Sequence, residues 1–269
     1  IDALGNRSSR FIIDKASIAN AVAGGYFSLW RATGQPGQGA IPTTTASCNH
    51  TTLGSMGFAQ QVSPATSYGG WANAVCSNST VTIEVHDRLR HMGGLNATLT
   101  TAQTVALTLN GITADNMAQR IGDANCSDVQ WWAEWYTDTG ATASNATVTV
   151  TYNDGTTGSL TAFAAGGTVR VGRMIPLNQL IPAAASGKYI RSIDSVQLSA
   201  STATAGNFGF TCTRPRLTMP LLLANKMEIF DWAQLGFPEI FNSSCLTIIE
   251  LCSTTFTGNV RGGGKIIHG

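Results

Sequence analysis

The sequence predicts a mainly β protein: a β-sandwich or jelly-roll-like domain with an extended N-terminal arm and a few short helices. Three observations carry that prediction. Short stretches alternate apolar and polar residues with the two-residue period of a half-buried strand. Turn chemistry rich in Gly, Asn, Asp and Pro separates them. No unit of fixed length repeats, so neither a solenoid nor a propeller is indicated. A chain of 269 residues has room for one large β domain, since sandwiches and barrels reach roughly 200–250 residues. The expected division is an N-terminal helix and arm over 1–79 and a β domain over 80–269.

The elements follow in order. DKASIANAVAGGYFSLW (14–30) places apolar residues near helical spacing and meets Gly24-Gly25, which predicts a short helix. The next stretch, about residues 31–70, is rich in Gly, Pro, Ser and Thr and longer than most loops inside a compact domain. It is read as an arm laid over a neighbouring surface, with Leu53, Met56, Phe58 and Tyr68 as its apolar anchors. From Thr80, TVTIEVH sets Val81, Ile83 and Val85 against Thr80, Thr82 and Glu84, and NATLTTAQTVALTL continues in the same style. WWAEWYT puts Trp131, Ala133 and Trp135 on one face and Trp132, Glu134 and Tyr136 on the other, as a strand covered on both sides requires. NATVTVTY sets Ala146, Val148, Val150 and Tyr152 against polar partners. Asn153-Asp154-Gly155 then supplies the positive φ angles of a hairpin turn into GSLTAF. TVRVGRMI, SVQLS and NFGFTCT add three strands, with a further hairpin turn expected at Ala205-Gly206-Asn207. ANKMEIFDWAQL reads as helical up to Gly236 and Pro238, CLTIIEL as a buried strand, and RGGGKIIHG as a flexible tail.

Charged residues make up only 12% of the chain, about half the usual share. A surface of small hydroxyl residues suits packing against other subunits, because charge normally keeps surfaces apart. The net charge is +1 with no Lys/Arg cluster, which argues against a nucleic-acid partner. No apolar run reaches the roughly 18 residues of a membrane span, and the opening IDALGNRSSRF lacks the apolar core of a signal peptide. Neither a nucleic acid nor a membrane is therefore expected as a partner.

HDRLRHMGG (86–94) most resembles an active site, with His86 and His91 beside Asp87, Arg88 and Arg90. Ligands on one strand need an even separation to share a face, and these histidines are an odd number of positions apart. No nucleophile motif accompanies them. The simpler expectation is that Asp87, Arg88 and Arg90 fix a strand-to-loop turn at Gly93-Gly94, or a subunit contact. RGGGK has the wrong spacing for a phosphate loop and lacks the Ser or Thr that should follow Lys265. Trp131, Trp132 and Trp135 would stack on sugar rings if exposed. N-x-S/T at Asn6, Asn49, Asn78, Asn96, Asn125, Asn145 and Asn242 is expected by chance in a chain this rich in Asn, Ser and Thr. Cys48, Cys76, Cys126, Cys212, Cys245 and Cys252 are irregularly spaced and lack C-x-x-C, which disfavours zinc. They are read either as buried thiols or as disulfides of unknown pairing, Cys48 and Cys76 flanking the arm region. No catalytic residue, metal or cofactor is expected, and the chain is read as a non-enzyme.

SLWRATGQPGQGAIP (28–42), VHDRLRHMGGLNATLTTAQT (85–104), RSIDSVQLSASTATAGNFGF (191–210) and FDWAQLGFPEI (230–240) together resemble a family of virion structural proteins from tailed bacteriophages. They lie in matching order across nearly the whole chain. The resemblance implies a structural protein of the particle, located in the virion. The favoured form is a decoration or cement protein on the head exterior. It would bind the major capsid protein or other virion proteins and other copies of itself, as a trimer. A neck, collar or tail component of the same particle is the first alternative, and a carbohydrate-binding receptor protein using the three tryptophans is the second. The resemblance brings no catalytic residues, and the six cysteines have no place in its pattern; in a particle they would serve as reinforcement.

Overall fold

The computed structural model describes residues 7–167 and 169–269; Asn6, most of the opening stretch used in the leader reading, and Thr168 lie outside them. The chain is mainly β, 45% strand and 7% helix. Seventeen strands occur among the described residues. The first six are β1 (Ser8–Lys15), β2 (Tyr26–Ser28), β3 (Gly34–Gln35), β4 (Ala46–Ser47), β5 (Ser67–Cys76) and β6 (Val81–Leu95). Next come β7 (Gln103–Thr108), β8 (Gln130–Thr137), β9 (Asn145–Tyr152), β10 (Thr157–Ser159), β11 (Phe163–Ala164) and β12 (Arg173–Pro176). The last five are β13 (Ile190–Leu198), β14 (Asn207–Leu221), β15 (Glu228–Phe230), β16 (Leu246–Leu251) and β17 (Val260–His268). A single short α-helix is described, Met117–Ile121.

The chain forms two compact units. One comprises Ile41–Ser47 and Leu89–Thr213, the other Ile1–Ala40, Cys48–Arg88 and Arg214–Gly269. Both boundaries around the inserted piece fall inside long strands, β6 and β14. The sequence division at residue 79 lies within the second of these units, in the turn between β5 and β6.

The unit around 89–213 is the sandwich the period-two pattern predicts. One sheet has the order β10-β9-β13-β7, with β11 also on β9. On the other side, β8 lies between β14 and β12. Alternate residues of each sheet fill one core: Val148 and Val150 of β9, Ile193 and Val196 of β13, Leu107 of β7, Trp131, Ala133 and Trp135 of β8, and Phe208 and Phe210 of β14. The Asp154-Gly155 hairpin forms as read, Thr157 facing Thr151 with Gly155 at φ +83°. The hairpin turn expected at Ala205-Gly206-Asn207 is corrected: the chain bends at Ala203-Thr204, Asn207 already opens β14, and the connection joins β13 of one sheet to β14 of the other.

In the other unit, β15-β5-β17-β1-β3 form one antiparallel sheet, and β16 is paired on its two sides by β2 and the first half of β6. Three sequence readings are corrected here. Residues 14–30 form no α-helix, and only Leu29 and Trp30 enter a one-turn 3-10 helix, Leu29–Arg31. The stretch carries the end of β1, a bridge from Ala19 to Phe256, and β2 on β16, because sheet partners far along the chain claim the backbone that local propensity would have coiled. ANKMEIFDWAQL gives edge strand β15 and a turn instead of a helix. RGGGKIIHG is no flexible tail: β17 is an inner strand, paired along its length by β5 and β1. Gly264 is needed there, since a Cβ would sit 2.3 Å from the Trp71 carbonyl oxygen and 2.5 Å from the Phe11 ring. His268 at the end of β17 clasps both neighbours, with Nδ1 2.9 Å from Ser67 Oγ and Nε2 2.7 Å from Ser9 Oγ.

The Gly/Pro/Ser/Thr-rich stretch is irregular and extended, as read, and it is tied down along its own chain. Buried Lys15 donates to the carbonyls of Ala32 (3.0 Å) and Pro36 (2.6 Å), and Trp30 Nε1 donates to Ala40 O at 2.8 Å. Thr45 reaches Val105 O at 3.2 Å, and Ala59 N–H donates to Ser9 Oγ at 2.8 Å. These bonds commit the stretch to its own fold.

Candidate functional site

The motif HDRLRHMGG does not end a strand. β6 runs through all of it as one fifteen-residue element, so the expected strand-to-loop turn at Gly93-Gly94 is corrected. Its first half is held by β16 over Thr82–Asp87, and its second half by β4, which faces Arg90 and His91. Gly93 serves close approach instead: a Cβ there would lie 2.3 Å from the Pro42 carbonyl. Strand alternation puts His86 and His91 on opposite faces, which separates them as candidate ligands. No metal-binding group of three His, Cys, Asp or Glu side chains exists among the described residues.

What the motif builds is a buried ionic cluster. Asp87 is fully buried and accepts hydrogen bonds from Ser244 Oγ at 2.8 Å and from the Cys245 N–H at 2.9 Å. Arg88, equally buried, lies over the Trp30 ring at 4.4 Å from its centroid, a cation–π contact inside the protein. Its own N–H donates to Cys245 O at 2.8 Å. His86 Nε2 is 2.8 Å from Glu84 Oε2. Arg90 donates to the Thr108 carbonyl. Charges this deeply buried are sustained only by such partners. The arrangement ties β6 to β16 and to Trp30.

All six cysteines are free thiols, and all are buried. Cys76 ends β5, where its thiol donates to Thr257 O at 3.4 Å and burial pushes it up to about 11. Burial also raises Cys126, against the opposing pull of Arg191. Cys212 donates to Arg90 O at 3.6 Å. Cys252 follows β16 beside Glu250. Cys48 and Cys245 are both fully buried, and burial first, with Cys48 and Asp87 beside it, raises the Cys245 thiol well above its ordinary value, against the opposing pull of Arg88. Four residues singled out from the sequence therefore meet in one cluster.

Glu250 is the residue sequence reasoning missed. It sits fully buried in β16, and neither carboxyl oxygen has a well-aligned hydrogen-bond donor. Burial pushes its carboxyl up to about 8, outweighing the Cys252 thiol that favours the ionised form. The sequence signal was a lone acid inside LTIIEL, an otherwise uncharged strand that is buried along nearly all its length.

The tryptophans are not a sugar platform. Trp131, Trp132 and Trp135 are buried, with Trp131 Nε1 donating to Ile190 O and Trp132 Nε1 to Thr213 Oγ1, each at 2.8 Å. Trp135 stacks on Phe208 at 5.9 Å. On the other face of β8, the buried Glu134 carboxylate accepts from Tyr136 OH and Thr211 Oγ1. β8 is thus covered on both sides, as its pattern implied, and that cover removes the carbohydrate reading.

The exposed apolar surface lies elsewhere, in the stretch read as helical. Leu222, Leu223, Met227, Ile229 (68% exposed), Trp232 (60%) and Phe237 stand out of the fold around β15. Phe237 stacks on Tyr68 at 4.8 Å and meets Trp232 edge-on at 6.4 Å. β15 is the outer strand of its sheet, so one side of its backbone has no strand partner. Isolated exposed apolar residues are ordinary, whereas a cluster of this kind is typical of contact surfaces.

No protein-family model matches the chain, and no curated protein matches it. Among solved structures, a mutant VP2 protein of infectious bursal disease virus, in derived T=1 particles, matches with 11% identity and a TM-score of 0.18, over 97% of this chain and 76% of that one. The VP2 subviral particle of the same virus gives 11% identity and 0.18 over 97% and 79%. The structure of infectious bursal disease virus Gt strain gives 11% and 0.17 over 97% and 80%. TM-scores this low carry no argument about fold or role. No helix among the described residues is long and apolar enough to cross a membrane.

Proposed function

We propose that the chain is a non-enzymatic structural protein of a tailed-phage virion, a decoration-type subunit that binds the outer head lattice as a homo-oligomer, with three copies favoured. One observation carries the reading: the exposed aromatic cluster. Trp232 and Phe237 belong to FDWAQLGFPEI, a stretch that resembles phage virion proteins, and both are exposed in the turn that follows edge strand β15. Much of VHDRLRHMGG, another such stretch, is buried by its own fold. A subunit held by repeated weak contacts needs an apolar patch of this sort and no reactive centre. Burying one exposed Trp or Ile in a neighbour is worth roughly 1.5–3 kcal/mol, enough to shift a self-association constant by tenfold or more.

The test is solution mass against concentration for the wild type and for Ile229→Glu and Trp232→Ala, followed by co-sedimentation with empty phage heads. Three copies that fall apart in both variants, and head binding lost with them, would support the proposal. A ring of five, six or twelve copies would move the protein to a vertex or neck. A monomer at every concentration that ignores the heads would overturn it.

A further inference from the structure

The sheet β15-β5-β17-β1-β3 turns one face to the core, where Phe11, Ile13, Ala72, Ala74 and Ile266 are buried. The alternate residues stand on its outer face, and the register aligns them in rows across β1, β17 and β5. Arg10, Lys265 and Trp71 form one row, Ile12, Gly263 and Asn73 the next, and Asp14, Arg261 and Val75 the third. The middle row continues to Ile229 on β15. Ile12 is 59% exposed, and Gly263 puts no side chain between it and Asn73.

The rows differ in charge. In the third, Arg261 Nε lies 3.1 Å from Asp14 Oδ1 and balances it. The first sets a guanidinium and an ammonium on directly opposed residues, about 5 Å apart at Cβ, with no acid in the row. Like charges so placed cost stability, and a carboxylate between them turns repulsion into charge-assisted hydrogen bonding. The sequence hides this pair, because strand pairing alone brings Arg10 and Lys265 together. The apolar members of the rows are mostly aliphatic: Ile12, Val75 and Ile229 beside a half-buried Trp71. Such a surface suits protein side chains better than nucleic-acid bases, which are held by stacking on aromatic platforms. A second copy offers few carboxylates, since Asp87, Glu134 and Glu250 are buried and Asp14, Asp138, Asp154 and Glu228 are held in ion pairs.

We propose that this face docks a different protein, one that presents carboxylates beside aliphatic side chains. A carboxylate sits between Arg10 and Lys265, and aliphatic groups cover Ile12 and Trp71. The contact stands on these rows and is separate from the self-association assigned above to the cluster around β15. If the proposed function holds, the docked protein belongs to the head lattice.

The experiment is fluorescence anisotropy of a labelled peptide of alternating Glu and Val, titrated with the full chain, beside its Gln/Val counterpart and a single-stranded oligonucleotide. The Glu/Val peptide should bind, and affinity should fall about tenfold in Arg10→Glu and several-fold on raising salt from about 0.1 to 0.5 M. Ile12→Ser should weaken it too, and the Gln/Val peptide should bind about tenfold more weakly. Both variants should keep the solution mass of the wild type, and Arg10→Glu should melt no lower, because it relieves the repulsion from Lys265. A monomeric wild type that binds the Glu/Val peptide in this way would support this inference while sinking the proposed function. Loss of oligomer mass in Arg10→Glu would make the face a contact between copies and overturn the choice of partner. Absence of binding by the Glu/Val peptide, or binding that ignores Arg10→Glu, would overturn the proposal. So would an oligonucleotide that binds as well as the peptide, which would assign the face to nucleic acid.

Discussion

Replacing Glu250 by Gln should remove a pH dependence that the wild type cannot avoid. The carboxyl is raised by burial to about 8 in the folded chain, against an ordinary value of 4.5. Below about pH 4.5 both folded and unfolded chains hold the proton, and the group contributes no penalty. Between about 4.5 and 8 the unfolded chain loses the proton while the folded chain keeps it. Folding then costs about 1.4 kcal/mol more for each pH unit gained. Stability from this group therefore falls as pH rises through that window and levels off above it. At pH 7 the accumulated penalty is roughly 3 kcal/mol, on the order of 10 °C in Tm for a chain of this size. The assay is urea unfolding of wild type and Glu250→Gln at pH 5, 6, 7 and 8, under reductant because Cys252 lies beside the carboxyl. The buried amide adds an offset that does not vary with pH, and every other titrating group is common to both proteins. The difference between the two curves therefore isolates this residue, and it should move toward the variant by about 1.4 kcal/mol per unit. A difference that stays constant from pH 5 to 8 would refute the reasoning.

Two further outcomes test the cluster and the inner strand. Asp87→Ala removes the buried acceptor of the Ser244 and Cys245 hydrogen bonds and leaves a cavity; it should cost about 1–3 kcal/mol by urea unfolding, and no measurable loss would show these bonds to be dispensable. Gly264→Ala drives a methyl group into the Trp71 carbonyl and the Phe11 ring and should cost about 1–3 kcal/mol, whereas Gly57→Ala, with open space around it, should leave Tm nearly unchanged; equal effects would argue against a crowded β17.

The sandwich was legible because its strands satisfy one rule each. β9 alternates cleanly, β8 carries aromatics on both faces because both are covered, and Asp154-Gly155 names its own turn. β17 was not legible because Gly262, Gly263 and Gly264 carry no side chains to show a period. Their reason for being there lies in Phe11 and Trp71, on other strands. The segment over 14–30 misled in the opposite way, since Ala-rich spacing suits a helix until sheet partners near residues 250–256 are known. In the candidate site, the odd separation of His86 and His91 pointed to opposite faces of one strand, and β6 runs through both as a continuous strand. The meeting of Asp87, Arg88, Cys48 and Cys245 was invisible, because nothing local in a sequence marks a contact made by strand pairing across the whole chain. FDWAQL reads as helical when its apolar residues are taken as one buried face, but Phe230 and Leu235 are buried from a strand end and a turn while Trp232 is exposed.

The pairing of β1 with β17 has a consequence for synthesis. Chains emerge from the ribosome N-terminus first, at about 5–20 residues per second. The piece from Leu89 to Thr213 is nearly continuous, so it is complete while the unit that brackets it still lacks β15, β16 and β17. Throughout that interval β1 has only the two-residue β3 to pair with, and the apolar residues Phe11 and Ile13 await their sheet. A nascent chain in this state offers an unfilled strand edge to any neighbour on the same polysome. Fast release, or a chaperone held against residues 8–15 until the last strand arrives, would matter more to the yield of folded subunit than the stability of the finished protein.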